Sequence, residues 1–256
     1  MKEIDFVKYK KRGKDYHYKQ INLKNPFSFN AYVHARYIKH ILLLKKILQE
    51  KNISKSKKLH LLDMGCGDGV VLFLIKKHLA EYQFNFYGID LSEIALETAK
   101  NKIRSGNFLQ TNVYETNFQN DFFDVILSLD VIEHVNYPEK MLMEAKRIAK
   151  NGAIIIFGTP IRYTEKPLDK MHVHEFFPQE FKQLFSLHFT ETSISFSHNL
   201  YNSLQYRKTF KFFFIEIGFY KYLYYLKTLF GKNPFLKKST KTNKLYTYMY
   251  ASAIKA

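Results

Sequence analysis

Apolar side chains recur along the middle of the chain in short blocks that alternate between two periods. Leu59-His60-Leu61-Leu62-Asp63-Met64 is a run of strand length, and Val70 to Ala80 then repeats at helical spacing. The alternation continues with a strand over Phe84–Asp90, a helix capped by Ser92 and running to about Ile103, and a short strand over Asn107–Gln110. A strand over Phe122–Leu129, a helix from Pro138 to Ala149, a turn at Asn151-Gly152 and a strand over Ala153–Gly158 follow. Pro178–Leu187 predicts a further helix, His188–Ser197 a strand, and Lys244–Ile254 a last strand. Such alternation predicts a doubly wound α/β fold whose ligand groups lie at the carboxyl ends of the strands. Upstream, Val33, Tyr37, Ile41, Leu44 and Leu48 predict an amphipathic helix over Asn30–Leu48 that packs on the core or closes over a ligand. Tyr32, Arg36 and Tyr37 either face the site or belong to that helix's surface and core. Residues 1–30 show no period and read as an irregular arm, and Lys51–Lys58 as a charged connector.

Length and composition narrow the class. A chain of 256 residues suits one α/β domain with additions better than two full domains. No uncharged apolar run approaches the ~18 residues of a membrane span, and Met1–Gln20 has no apolar signal region. Cys66 is the only cysteine, which excludes a disulfide framework and a cysteine-rich zinc site and fits a cytoplasmic location. The net charge of +17 is unevenly placed. Residues 1–60 carry 16 basic and 4 acidic side chains and residues 201–256 carry 11 and 1, whereas residues 61–200 are mildly acidic, with 13 and 18. Basic flanks around an acidic core favour an anionic partner: nucleic acid, an anionic membrane face or a phosphate-bearing substrate. Solubilising flanks are the plain alternative.

The candidate chemistry begins at Gly65-Cys66-Gly67-Asp68-Gly69, where a strand turns into a helix and the next strand ends in an acid, Asp90. Glycines there let the backbone approach a ligand, and a terminal carboxylate accepts ribose hydroxyls. The third glycine stands at Gly69, one residue earlier than in a dinucleotide fingerprint, and no lysine follows as in a P-loop. Asp63-x-Gly65-x-Gly67-x-Gly69, with Asp90 21 residues beyond, resembles motif I of the class I S-adenosylmethionine (SAM) methyltransferases. The block from Phe122 to Pro160, with Asp130-Val131-Ile132-Glu133-His134, is similar to their ubiquinone-biosynthesis and "type 11" branch, and the resemblance spans roughly residues 59–200.

This resemblance implies a Rossmann-like seven-stranded sheet with the last strand antiparallel between the fifth and sixth. It implies an N-terminal arm and lid helix over 1–58 and a methyltransferase domain over 59–256; where the family joins its last two strands by a tight hairpin, this chain departs from it by inserting residues 201–243. It also implies roles in holding SAM: Gly65 and Gly67 for backbone approach, Asp63 for the methionine amino group, and Asp90 for the ribose. Asn112 is expected at the adenine amino group, Val113 beside the adenine, and Leu129 beneath the sulfonium. Transfer to a hydroxyl then requires alignment and removal of a proton. Glu133, His134, His172 and His174 are the candidates for that step. Asp130 and Glu133 share one face with His134 if a helix begins there. The ubiquinone-pathway and small-RNA methyltransferases have Glu-x-x-Glu-His and a later His. By that likeness Asp130, Glu133, His134 and His172 are a candidate divalent-metal set, with a shorter acid at the first place. A hydrogen-bonded pocket with a histidine base is the alternative.

The Met171–Phe176 segment followed by Pro178 is similar to methyltransferases of surface-polysaccharide pathways. The expected acceptor is therefore a small molecule, a glycan or a lipid-linked precursor, in the cytoplasm or at the inner membrane face. The insertion is rich in aromatic and lysine residues and must cover the domain, bind a partner or touch a membrane through residues 207–230. Lys208, Lys211, Glu216, Lys221 and Lys227 scatter around a helical wheel, which disfavours one interfacial helix and leaves two shorter ones broken at Gly218. A metal-dependent RNA 2′-O-methyltransferase and a non-catalytic SAM-binding protein are the alternatives, although no RNA-binding module is recognisable.

Overall fold

A computed structural model describes residues 13–165, 167, 169–212, 215–237 and 245–256. Residues 1–12 of the expected arm, Phe213, Phe214, residues 238–243 of the insertion and Lys244 of the expected last strand lie outside the described residues. In chain order the elements are α1 (Tyr16–Ile21), α2 (Ala31–Glu50), β1 (Lys58–Met64), α3 (Val70–His78), β2 (Gln83–Asp90), α4 (Glu93–Lys102), β3 (Asn107–Gln110) and β4 (Phe123–Leu129). A 3₁₀ turn over Ile132–His134 leads to α5 (Pro138–Ile148), β5 (Ala149–Pro160), α6 (Pro178–Ser186), β6 (Thr190–Asn199) and α7 (Leu200–Arg207). The short strands β7 (Phe210–Phe212) and β8 (Ile215–Ile217), α8 (Phe219–Leu229), a second 3₁₀ turn over Pro234–Leu236 and β9 (Tyr246–Ile254) complete the chain.

Seven strands form one sheet in the order β3-β2-β1-β4-β5-β9-β6. β1 to β5 pair in parallel, and β9 lies antiparallel between β5 and β6. The expected sheet, with its last strand inserted antiparallel, is therefore present. One face is covered by α2, α3 and α4 through Tyr37, Leu44, Val71, Ile75 and Leu96, and the other by α5 and α6 through Met141, Leu142, Phe181 and Phe185. β4 is buried along its whole length, as a central parallel strand with both faces covered must be. The chain runs outward from β1 to β3 and then recrosses to β4, which places a switch point between the carboxyl ends of β1 and β4, where open α/β sheets bind ligands.

Three local departures have physical reasons. β5 starts at Ala149, and its pairing with β4 jumps from Phe123–Ala149 to Val125–Ile154. The expected Asn151-Gly152 turn is thus an irregularity within a strand, with Gly152 at φ +79°. In the expected irregular arm, α1 forms because tertiary contacts supply what six residues alone cannot: Tyr18 meets Phe73 edge-on, and Lys102 lies over the Tyr18 ring. The insertion does contain a helix that begins after Gly218, but a two-stranded hairpin separates it from α7.

The apolar side of the insertion packs on the N-terminal helix. Phe235 is fully buried, with its ring 5.2 Å from Tyr32, 5.4 Å from Tyr206 and 5.2 Å from Tyr224. Tyr206 Oη donates to Asn30 Oδ1 and accepts from the Ala31 N–H, both at 3.2 Å, while Asn233 Nδ2 donates to Ala31 O. Phe235→Ala should cost about 3–5 kcal/mol of stability, read by urea denaturation. It should also speed trypsin cleavage at Lys221 and Lys227 relative to sites in α3 and α4.

Candidate active site

The carboxyl ends of β1 and β2 are locked together. Gly65 N and Cys66 N both donate to Ile89 O, at 2.8 and 2.9 Å, and Gly67 N donates to Asp90 Oδ2 at 2.8 Å. Gly65 has φ +77°, and a Cβ there would sit 2.4 Å from Val131 Cγ2, so the turn requires glycine for conformation and for packing. Asp90 is half-buried, and its Oδ1 accepts from Ser92 N at the start of α4. Asp63 is buried, and its Oδ2 has no hydrogen-bond partner among the described residues. Burial pushes this carboxyl up to about 8, and the Asp90 carboxylate adds to the shift. An unpartnered buried carboxylate beside a second acid suits a ligand that brings an ammonium group and vicinal hydroxyls, as SAM does. Val113 packs on the core face shared by α5, and Leu129 is buried at the end of β4. Asn112 lies on the loop after β3, but its Oδ1 accepts from Tyr114 N and Glu115 N at 2.8 and 2.9 Å. The oxygen expected at an adenine amino group is thus engaged in the turn, and the side chain offers only its NH₂.

Beyond β4 the chain takes a 3₁₀ turn, so Asp130, Glu133 and His134 do not share the helical face that their spacing suggested. Asp130 sits at φ +58° and its Oδ1 accepts from Arg36 Nη1 at 2.8 Å and from Tyr248 Oη at 2.7 Å. Glu133 points inward and is 1% exposed, with Thr159 Oγ1 donating to its Oε2 at 3.1 Å. Burial, and then the Asp130 charge, push the Glu133 carboxyl well above the usual carboxylate range. The Glu133 carbonyl accepts from Val173 N and His174 N, which ties the 169–176 loop to the turn.

This clasp brings His134 and His172 together, rings 5.0 Å apart, and Glu133, His134 and His172 each offer a ligand atom within 4.8 Å of the others. Asp130, expected in that set, falls outside it because Arg36 and Tyr248 take its carboxylate. His134 Nδ1 lies 2.9 Å from Met171 O, so that nitrogen carries the proton and the lone pair is on Nε2. His172 Nδ1 lies 2.7 Å from Glu175 Oε1, which fixes the same tautomer, and Asp169 Oδ2 stands 4.0 Å from its Nε2. His174 is directed elsewhere, with Nε2 3.4 Å from Asn136 O.

Two further residues shape the site: Arg36, for which the sequence left site and helix surface open, and His17, which it passed over. Arg36 packs between the rings of Tyr32 and Tyr248, at 5.5 and 5.4 Å. Its signal was present: with His40 it completes the i, i+3, i+4 stripe of Val33, Tyr37, Ile41 and Leu44, and a charge on a buried stripe needs a partner. His17 of α1 reaches the glycine turn, its Nδ1 3.1 Å from Oδ1 of the fully buried Asp68. Nothing local to residues 13–22 announces that contact.

Residues 62–157 match the family model described as a methyltransferase domain. A ubiquinone biosynthesis O-methyltransferase of Rickettsia typhi is 37% identical over 115 residues, which are 43% of this chain and 44% of that protein. The chain thus spans less than half the length of the curated relatives it matches. Among solved structures, a SAM-dependent methyltransferase of Thermotoga maritima has a TM-score of 0.57 at 18% identity, covering 98% of this chain and 96% of its own. A phosphoethanolamine N-methyltransferase of Haemonchus contortus, in complex with SAM, has a TM-score of 0.63 at 13% identity, covering 99% of this chain and 60% of its own. At such identities these two structures speak for the fold. The matched segment holds the glycine turn, Asp90 and the Asp-x-x-Glu-His turn, and residues 62–157 are thus a class I SAM-dependent methyltransferase domain of the branch that includes the ubiquinone-biosynthesis O-methyltransferases.

Proposed function

We propose that this chain methylates a hydroxyl group, holding SAM at the β1–β2 edge and using His172 to take the acceptor's proton. The observation that carries it is the gathering of Glu133, His134 and His172 just past β4, at the switch-point edge of the sheet, with both imidazoles held by their Nδ1 atoms. The relatives' shared name, which specifies O-methyl transfer, supports oxygen as the acceptor atom. SAM supplies the methyl group when bound. Asp63 pairs its Oδ2 with the methionine ammonium, Gly65 and Gly67 let the backbone approach, and Asp90 accepts from the ribose hydroxyls. Asn112 meets the adenine as a donor to a ring nitrogen, beside Val113, and Leu129 floors the sulfonium. In-line displacement needs the acceptor oxygen aligned and its proton removed. Glu175 orients His172 for that removal, His134 lies beside it, and His174 helps anchor the loop.

A divalent ion is the second chemistry that the geometry favours. Glu133, His134 and His172 would hold it, each imidazole donating its other N–H to an oxygen as metal-bound histidines do, and it would lower the pKa of a bound hydroxyl. The acceptor is a small molecule, with a glycan or lipid-linked precursor the class that the basic flanks support. Phe219, Tyr222, Leu229 and Phe230 are exposed on and just after α8 beside Lys221 and Lys227, which supports peripheral membrane contact by this segment. Among the described residues no helix is long and apolar enough to cross a membrane.

Transfer of radiolabelled methyl from SAM into source-cell extract, separated into lipid-linked, free-glycan and RNA fractions, tests the acceptor class. Label in a lipid or glycan fraction supports it, and label in RNA alone refutes it. Asp63→Asn should weaken SAM binding about tenfold or more, the worth of one charge-assisted hydrogen bond. Because the free carboxyl holds its proton up to about pH 8, wild-type affinity should rise as the pH climbs towards that value. Titration calorimetry at pH 7 should detect proton release on binding, absent in D63N. His172→Gln should lower kcat by about 10²–10⁴ with SAM affinity kept. Turnover that survives a chelator assigns His172 as the base, and turnover lost and then restored by added divalent ion assigns the metal.

A further inference from the structure

We propose that the hollow between α2, α7 and α8 is a phosphate-binding subsite that takes a phosphoryl group carried by the acceptor, a role that rests on the methyl-transfer reading although the binding itself does not. The hollow measures about 290 Å³ and is lined by Asn30, Tyr32, Tyr206, Arg207 and Lys221. Two of its five lining side chains are cationic and none is anionic. Arg207 and Lys221 are exposed, and neither makes an ion pair among the described residues. Carboxylates are scarce on the elements that build it: residues 16–49 contain none, and residues 201–256 contain only Glu216.

The floor is rigid and its acceptors are already occupied. Asn30 Oδ1 accepts from Tyr32 N, Val33 N and Tyr206 Oη, so the other end of that amide, its NH₂, is the end without a partner among the described residues. Tyr206 is 7% exposed and its hydroxyl is engaged with Asn30 and Ala31. The first N–H groups of α2 all have partners, so this 20-residue helix contributes the field of its positive end and no direct bond. A guanidinium, an ammonium and an amide on a fixed floor at a helix's positive end match a phosphate's charge and its several acceptor oxygens.

The hollow shares its Tyr32 wall with the Arg36–Asp130 ion pair. Tyr32 forms its wall, with Oη 3.1 Å from Thr247 Oγ1, and the ring contacts the Arg36 guanidinium that pairs with Asp130. One helical turn, a rise of about 6 Å, separates Tyr32 from Arg36. A soluble sugar phosphate and the phosphate of a lipid carrier share this chemistry.

Inorganic pyrophosphate titrated into the full chain by calorimetry, at fixed ionic strength, is the test. Wild type should bind it, and Arg207→Ala/Lys221→Ala should bind it at least about tenfold more weakly. Arg207→Lys/Lys221→Arg should keep most of the affinity, and Lys46→Ala, on the far end of α2, all of it. No binding by wild type, an unchanged double variant, or an equal loss in Lys46→Ala overturns the proposal. Flotation with phosphatidylglycerol vesicles against phosphatidylcholine vesicles separates the sources. Capture by the anionic vesicles that pyrophosphate and the double substitution both abolish assigns a lipid-borne phosphate, and pyrophosphate binding without such capture assigns a soluble one. SAM titrated in parallel should bind every variant alike. Its failure to bind wild type would sink the methyl-transfer reading while the pyrophosphate result still judges the hollow.

Discussion

The cofactor edge depends on one buried carboxyl. Asp63 lies near the carboxyl end of β1 with an oxygen that no group among the described residues satisfies, a state that costs several kcal/mol if the group stays charged and alone. The fold tolerates it because burial and the Asp90 charge favour the protonated form. What surrounds Asp63 keeps it in place. Two consecutive N–H groups of the glycine turn share the Ile89 carbonyl, and the next acid, Asp90, takes the Gly67 N–H. A shift of one residue between β1 and β2 would turn Asp63 away and break all three bonds, so the parallel register and the ligand chemistry stand or fall together.

The acceptor edge is held from the other direction, by the ends of the chain. Arg36 near the N-terminus and Tyr248 near the C-terminus converge on Asp130, and Tyr250 Oη donates to the Arg36 carbonyl. A partly exposed ion pair adds little stability, about 0–1 kcal/mol. Its evident effect is positional: it holds Asp130 in a left-handed conformation that costs a non-glycine residue roughly 1–2 kcal/mol, and thereby sets where the 3₁₀ turn begins. The insertion then seals the start of α2 through Phe235 and Tyr206, so the lid helix is fastened to the sheet at its middle and to the cap at its end.

What could be read from the sequence divides by range. The glycine turn, Asp90 and the strand order follow from patterns within some thirty residues, and the antiparallel last strand followed from the resemblance. The 3₁₀ turn could not be read, since Asp130 to His134 carry the i, i+3, i+4 spacing of a helix and only the Arg36 and Tyr248 contacts bend the chain away from one. The same holds for α1, which is shorter than any stable isolated helix and forms against Asp68 and Phe73. His172 was legible as a candidate base, but its orienting partner Glu175 was passed over although it stands three residues on. At Asn112 the sequence did not show that the amide oxygen also serves the turn, as an amide after a strand commonly does.

The two edges share an electrostatic logic. The mildly acidic core gathers Asp63, Asp90, Asp130 and Glu133 near the ends of β1, β2 and β4. Full ionisation of all four in a partly dry cleft would be strongly self-repulsive. Arg36 neutralises Asp130, while Asp63 and Glu133 are driven by burial towards holding protons. A carboxyl driven by burial towards its protonated form is a weak proton acceptor, which under the proposed mechanism favours an imidazole over Glu133 as the base. His172, whose Nδ1 donates to Glu175, is the base in the proposed transfer. Glu133 gains a charged role only if a cation joins it, so its protonation state is the point at which the base chemistry and the metal chemistry part.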